Sequence, residues 1–173
     1  MSRFVLELLD ASHDRKSFAS GLASVDDYLK RTARGHTEKG VSLTRVLVTE
    51  DATPPKPILG YFTLTPCMVE AAGWPEVPKG LPRNPVGAVL LGRLAVDASA
   101  HGQGIATRLL ALSRRIAADS LGATGGIGMV VDAATEDLVG FYQRFGFRRI
   151  ATDSLRLFLP TRSLVTNPAQ PGT

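Results

Sequence analysis

Hydrophobic and polar positions alternate with two different periods along the chain, and the changes of period predict its elements. The run FVLELLD at 4–10 alternates as a first strand does, and apolar residues within 20–40 recur every three or four positions, as in an amphipathic helix. β-Branched and aromatic residues at 42–50 and 58–66 predict a hairpin whose connection is interrupted by prolines. The proline-rich stretch at 66–85 predicts a long loop.

The second half of the chain repeats the succession of strand and helix. The near-continuous apolar run GAVLLGRLAVD at 87–97 predicts a central strand buried on both faces. A helix follows, with Gly122 as its predicted end and a buried stripe formed by Ile105, Leu109, Leu112 and Ile116. A strand at 126–133, a short helix capped by Thr135 and two terminal strands complete the pattern. These elements predict an α+β (α/β mixed) fold with one mixed sheet.

Length and composition describe an ordinary globular protein. The 173 residues suit one domain, which we expect over 1–160, with a flexible tail at 161–173. No apolar run is long enough to span a bilayer and the start lacks the features of a signal peptide, so we expect a cytoplasmic protein that does not contact membranes. The one cysteine and three histidines are widely scattered, so we expect no metal site.

The net charge of +4 leaves two interpretations open. A mildly basic chain, with a pI near 9.6, is compatible with a solvated surface. It is equally compatible with a polyanionic partner such as RNA or a phosphorylated cofactor. Charge alone does not decide between them.

The stretch HGQGIATRLL at 101–110 places glycines between a strand and a helix. This layout is typical of a phosphate site, because the first turn of a helix has unpaired N–H groups and glycine leaves room above them. A tight turn without a ligand is the simpler interpretation. A Rossmann fingerprint does not fit, since Thr107 stands at its third glycine position, and the G-K-[ST] of a Walker A loop is absent.

The same stretch resembles the motif of the GNAT superfamily of N-acetyltransferases. Gly104 and Ala106 match the last two positions of Gln/Arg, two residues, Gly, one residue, Gly/Ala, whereas His101 replaces the Gln or Arg. The resemblance implies a central, mostly antiparallel sheet of six to seven strands flanked by helices, and acetyl-CoA as co-substrate. It further implies that backbone groups bind the cofactor at Leu94, Ala95, Val96, Gln103, Gly104, Ile105, Ala106 and Thr107.

The stretch FYQRFGF at 141–147 resembles the late helix and strand of the same superfamily. Helical spacing alone makes Tyr142 a core residue, like Phe141 beside it. The resemblance implies instead that Tyr142 protonates the departing CoA thiolate. The nearby acids, which are Asp97, Asp132, Glu136 and Asp137, are better interpreted as strand-end or helix-cap residues than as a general base.

A narrower resemblance covers nearly the whole chain. The segments HDRKSFASGLASVDDYLKRTA, GVSLTRVLV, LGRLAVDASAHGQGIATRLL and FYQRFGF resemble GNAT toxins of bacterial toxin–antitoxin modules. This resemblance implies acetylation of the α-amino group of aminoacyl-tRNA, a block of translation, and a ribbon-helix-helix antitoxin as partner. We also expect a homodimer. An α-amino group has a pKa near 7.7–8.0, so it needs no strong base, in keeping with the acids available here.

Among the basic residues, Arg83 in the proline-rich loop and Arg93 in the central strand are the candidates for substrate binding. Two alternatives to the toxin stay open. One is a GNAT enzyme that acetylates a small amine or a protein N-terminus. The other is a CoA-binding regulator without catalysis, which the tyrosine at 142 disfavours.

Overall fold

The computed structural model of the chain describes residues 2–164. Within them, the strands are β1 (Phe4–Leu8), β2 (His13–Asp14), β3 (Leu43–Thr49), β4 (Lys56–Pro57), β5 (Gly60–Val69), β6 (Val86–Val96), β7 (Gly128–Asp132), β8 (Arg148–Arg149) and β9 (Arg156–Pro160). The helices are α1 (Ala23–Arg31), α2 (Ala33–Lys39), α3 (Ile105–Thr124), α4 (Glu136–Gln143) and α5 (Thr161–Leu164).

Seven of these strands form one mixed sheet in the order β1-β3-β5-β6-β7-β9-β8. The pair β6–β7 is parallel, whereas β1–β3, β3–β5, β7–β9 and β8–β9 are antiparallel. The predicted α+β fold with a mostly antiparallel sheet is therefore confirmed.

Contacts divide the chain into two compact units. The first unit contains the residues up to Thr65 and Gly92–Ser113, and the second contains Pro66–Leu91 and the residues from Arg114 onward. One acetyltransferase domain over 1–160 stays a prediction. Of the predicted tail, residues 161–164 form α5, and 165–173 lie outside the described residues.

In the first unit, the helices α1 and α2 replace the single helical segment predicted over 20–40. Thr32, with φ −122°, separates them, and Gly40 ends α2 in the left-handed region. Of the residues that recur at helical spacing within 20–40, Val25, Tyr28 and Leu29 are buried in the core, and Thr32 is partly buried. α1 begins without a side-chain cap, because its N-cap residue is Leu22, and the carboxylate of Asp26 accepts hydrogen bonds from the amide and hydroxyl of Ser20 in the preceding turn.

In the second unit, a core of Val69, Ala71, Ala88, Val130 and Phe158 lies beneath the proline-rich loop. β5 continues to Val69, so this loop is shorter than predicted. Trp74 anchors it, with its ring centroid 5.7 Å from that of Phe158. Gly122 does not end α3, which runs on to Thr124 before Gly125 adopts φ +82°.

None of the helices within residues 2–164 is both long and apolar enough to cross a membrane.

Candidate active site

The turn from β6 to α3 is built around the carboxylate of Asp97 in the first unit. Asp97 accepts hydrogen bonds from the amides of Ser99 and Ala19 at 3.0 and 2.9 Å, and from the Ser99 hydroxyl. Burial alone raises the Asp97 pKa, but these hydrogen bonds outweigh it and hold the pKa below its ordinary value. The carboxylate therefore fixes the direction in which the chain leaves β6.

Gly102 and Gly104 carry the chain into the first turn of α3. Their φ angles are +78° and +73°, a region that side chains disfavour, and a Cβ at either position would have no atom within 4 Å. The first helical hydrogen bond runs from the amide of Arg108 to the carbonyl of Gly104, at 3.1 Å. The amides of residues 105–107 thus lack an acceptor within the helix and lie beside open space.

The residues predicted to bind the cofactor occupy this turn and the strand before it. Gln103, Gly104 and Thr107 are exposed, and Leu94, Val96 and Ala106 are partly buried. Ala95 and Ile105 belong to the interior, 7% and 2% exposed. The first unit thus brings all eight residues to the end of β6 and the start of α3.

His101, which replaces the Gln or Arg of the motif, has a local structural role. Its Nε2 donates a hydrogen bond of 2.9 Å to the carbonyl oxygen of Val96. This bond closes the turn onto the end of β6. One of the backbone acceptors predicted to meet the cofactor is therefore already engaged within the protein.

Gly60 lets β5 approach this turn closely. A Cβ at Gly60 would lie 2.7 Å from Leu109 Cδ1 and 2.9 Å from the carbonyl oxygen of Ala95. Real Cβ atoms do not approach other atoms so closely, so only glycine fits here. The pattern of apolar residues gave no sign of this requirement, because it depends on β6 and α3 lying against β5.

Tyr142 lies on α4 in the second unit. The hydroxyl of Thr135 caps this helix by accepting the amide of Leu138, as predicted, and Glu136 and Asp137 occupy its first turn. The tyrosine is 4% exposed, and its ring packs edge-on against Phe141 and Phe147, with centroids 5.2 and 5.8 Å away. Burial raises the pKa of Tyr142, so the phenol keeps its proton at neutral pH.

The side chain of Tyr142 is almost fully buried, and within residues 2–164 its hydroxyl makes no hydrogen bond with the protein. Since a purely structural buried tyrosine usually gives its hydroxyl a protein partner, this arrangement suits a proton donor.

Three of the four acids considered as bases have side-chain or backbone partners, and the fourth, Asp137, lies in the first turn of α4. Asp132 accepts two hydrogen bonds from Arg156, at 2.7 and 2.9 Å, and Glu136 is paired with Arg149. Asp97 holds the turn described above. The structural interpretation of these carboxylates is therefore supported.

Arg93 makes a contact that the sequence did not predict. Its guanidinium lies 3.7 Å from the centroid of the Tyr28 ring, and the Tyr28 hydroxyl is hydrogen-bonded to Ser42 at 3.1 Å. Among the residues that the structure describes, none accepts a hydrogen bond from Arg93. The stacked guanidinium thus keeps its donors free, next to Leu94 in the strand. Arg83 is exposed in the second unit.

Within residues 2–164, no three side chains of His, Cys, Asp or Glu are arranged to hold a metal ion.

Comparisons with known proteins agree with this geometry. Residues 43–149 match the family model for an acetyltransferase (GNAT) domain. A tRNA-acetylating toxin of Mycobacterium tuberculosis is 35% identical over 150 residues, which cover 84% of this chain and 85% of that toxin.

Two solved structures are similar over almost their full length. AtaT complexed with acetyl-methionyl-tRNAfMet has 29% identity and a TM-score of 0.83, covering 94% of this chain and 97% of that one. A tyrosine-to-phenylalanine mutant of AtaT, bound to the C-terminus of the antitoxin AtaR and to acetyl-CoA, has 27% identity and a TM-score of 0.78, covering 93% and 95%. With the family model matched over most of the chain, the protein belongs to the GNAT acetyltransferase family.

Proposed function

We propose that this acetyltransferase is a toxin that transfers the acetyl group of acetyl-CoA to the α-amino group of aminoacyl-tRNA and so blocks translation. The observation that carries the proposal is the start of α3, where two left-handed glycines leave unpaired amides beside open space. Such a helix N-terminus suits the pyrophosphate of CoA. Translation would place the reaction in the cytoplasm.

In this proposal, the cofactor is held almost entirely by backbone groups. The amides of Gln103, Gly104, Ile105, Ala106 and Thr107 would bind the pyrophosphate, and the backbone at Leu94, Ala95 and Val96 would pair with the pantetheine arm. Because His101 donates a hydrogen bond to the carbonyl oxygen of Val96, we expect the pantetheine arm to pair with the other polar backbone groups of this segment.

The chemistry would be a direct transfer. The amine nitrogen attacks the acetyl carbonyl carbon, the carbon–sulfur bond breaks, and the thiolate takes the phenolic proton of Tyr142. The phenol of Tyr142 is protonated at neutral pH, as a proton donor must be. The attacking α-amino group is neutral in a good fraction of molecules near pH 8, so the engaged carboxylates are not required as strong bases.

The choice of aminoacyl-tRNA over other amines rests on relatives and on charge. The M. tuberculosis relative is a tRNA-acetylating toxin, and AtaT has been captured with acetyl-methionyl-tRNAfMet. In this chain, the net charge of +4 and the free donors of Arg93 suit a polyanion. We propose Arg93, together with the exposed Arg83, as contacts for the tRNA.

Two partners complete the proposal. An antitoxin would mask the toxin, as the AtaT complex with the C-terminus of AtaR suggests, and we propose a ribbon-helix-helix protein for this role. We also propose a homodimer. Co-expression with the neighbouring gene should restore growth and yield a complex, and ultracentrifugation of the toxin alone gives its oligomeric state.

The decisive assay measures radiolabelled acetyl transfer from acetyl-CoA to total charged tRNA and to the same tRNA stripped of its amino acids. Label should enter only the charged pool, and mild base should release it as N-acetyl amino acid. Label entering polyamines, aminoglycosides or protein termini instead would refute the tRNA substrate while leaving the acetyltransferase intact.

A further inference from the structure

Arg114 is a buried arginine of α3 that sequence reasoning left without a role. It lies in the second unit and is 7% exposed. Its Nη1 donates to the carbonyl oxygen of Phe145 and its Nη2 to that of Ser163, both at 3.0 Å. The burial of Arg114 could have been predicted from the sequence, because it lies four residues after Leu110 and three before Ala117, both of which are buried.

The first of these carbonyls belongs to the turn that follows Tyr142. In that turn, the amides of Phe145 and Phe147 both donate to the carbonyl oxygen of Tyr142, at 3.0 and 3.3 Å. Phe147 also packs against the tyrosine ring. Arg114 therefore binds the carbonyl of Phe145, and the amide of Phe145 in turn binds the carbonyl oxygen of Tyr142.

Burial and charge show how much this arrangement depends on the guanidinium. Burial lowers the pKa of Arg114, but a guanidinium remains protonated in proteins, and a buried cation is costly unless its donors are satisfied. The carbonyl of Phe145 follows the C-terminal end of α4, where the helix dipole is negative and favours a cation. Two different guanidinium nitrogens make these contacts, and lysine has a single nitrogen at the end of a flexible stem, so Arg114→Lys does not preserve this geometry.

We propose that Arg114 is a positioning residue for Tyr142: it clamps the turn at Phe145 against α5 and thereby fixes the phenol in its proton-donating position. The inference rests on the proposed function, in which Tyr142 is the general acid. A displacement of a catalytic group by about 1 Å costs on the order of 100-fold in rate. Loss of the clamp should therefore lower kcat and spare the binding of acetyl-CoA.

The kinetic test compares Arg114→Met and Arg114→Lys with Arg115→Met, a control that removes an exposed arginine from the next position of the same helix. We expect kcat to fall about 10- to 100-fold in both Arg114 variants, with the KM for acetyl-CoA nearly unchanged, and no effect in the control. The same substitutions are then made in a Tyr142→Phe background. If Arg114 acts through the phenol, they should cause little further loss there, whereas an equal loss in both backgrounds would overturn the proposal.

A second measurement does not depend on activity. The chain has three tyrosines, so labelling with 3-fluorotyrosine gives three ¹⁹F NMR lines, and Tyr142→Phe identifies one of them. The Arg114 variants should shift or broaden the Tyr142 line and leave those of Tyr28 and Tyr61 in place. An unchanged Tyr142 line would overturn the proposal.

The two measurements separate the inference from the function on which it rests. If the wild type does not acetylate aminoacyl-tRNA but the NMR line responds, the proposed substrate fails and the clamp stands. Circular dichroism checks folding, and Arg114→Lys replaces Arg114→Met if the latter does not fold. If neither variant folds, Arg114 serves the fold as a whole and the proposal is overturned.

Discussion

Replacing Gly104 with alanine separates the two roles that this glycine combines, the turn and the ligand site. Gly40→Ala, at the end of α2, is the matched control, because both glycines have similar positive φ angles and open space where a Cβ would lie. A left-handed residue with a side chain costs about 1–2 kcal/mol. At about 2–4 °C per kcal/mol for a chain of this size, each variant should lose about 2–8 °C in Tm.

The effect of the ligand should differ between the two variants. Acetyl-CoA at 100 times its Kd should stabilise the wild type by about 2.7 kcal/mol, which corresponds to about 5–11 °C. The same increase is expected for Gly40→Ala, because Gly40 lies outside the turn between β6 and α3. In Gly104→Ala the methyl group would enter the space proposed for the pyrophosphate. If the affinity falls 100-fold, the stabilisation shrinks to about 0.4 kcal/mol at the same concentration.

Differential scanning fluorimetry gives both quantities, and isothermal titration calorimetry measures the affinity directly. A Gly104→Ala protein that is destabilised as expected but keeps the full shift with acetyl-CoA would refute the reasoning. Gly104 would then serve only the turn between β6 and α3.

Three further predictions follow from the same structure. Tyr142→Phe should keep its Tm and its acetyl-CoA affinity, since the buried ring remains, and lose about 10²- to 10⁴-fold in rate; a rate near that of the wild type in steady-state assays would remove Tyr142 from the mechanism. Arg93→Glu should raise the KM for aminoacyl-tRNA in a salt-dependent way and leave that for acetyl-CoA unchanged; Arg3→Glu, which makes the same charge change at an exposed site, is its control. Hydrogen bonds from Lys56 hold the pKa of Glu7 below its usual 4.5. The contribution of these hydrogen bonds to stability is therefore present above pH 4.5 and lost as the pH falls through the lowered pKa. Glu7→Gln should make the Tm less dependent on pH in that acidic range.

Local patterns in the sequence predicted most elements correctly because the signals for a strand, a helix or a cap lie within a few residues. The apolar run at 87–97 is β6, and Thr135 caps α4 as its position suggested. The start of α3 was also predicted correctly, because the strand, the two glycines and the helix are contiguous in the sequence. The roles of Tyr142 and of the cofactor-binding residues stay predictions.

Where elements end, and what buried side chains contact, was decided by tertiary structure. A helix was predicted across Thr32, but the chain breaks there into α1 and α2, and ahead of α1 the carboxylate of Asp26 binds Ser20. The hydrogen bonds of Arg114 reach carbonyls 31 and 49 positions further along the chain. Arg93 stacks on a tyrosine from a different element. No local period encodes such partners, because they meet only when distant segments pack together. The sequence by itself thus determined the family and most of the elements, whereas only the tertiary structure showed that Arg114 contacts the turn that follows the candidate catalytic residue.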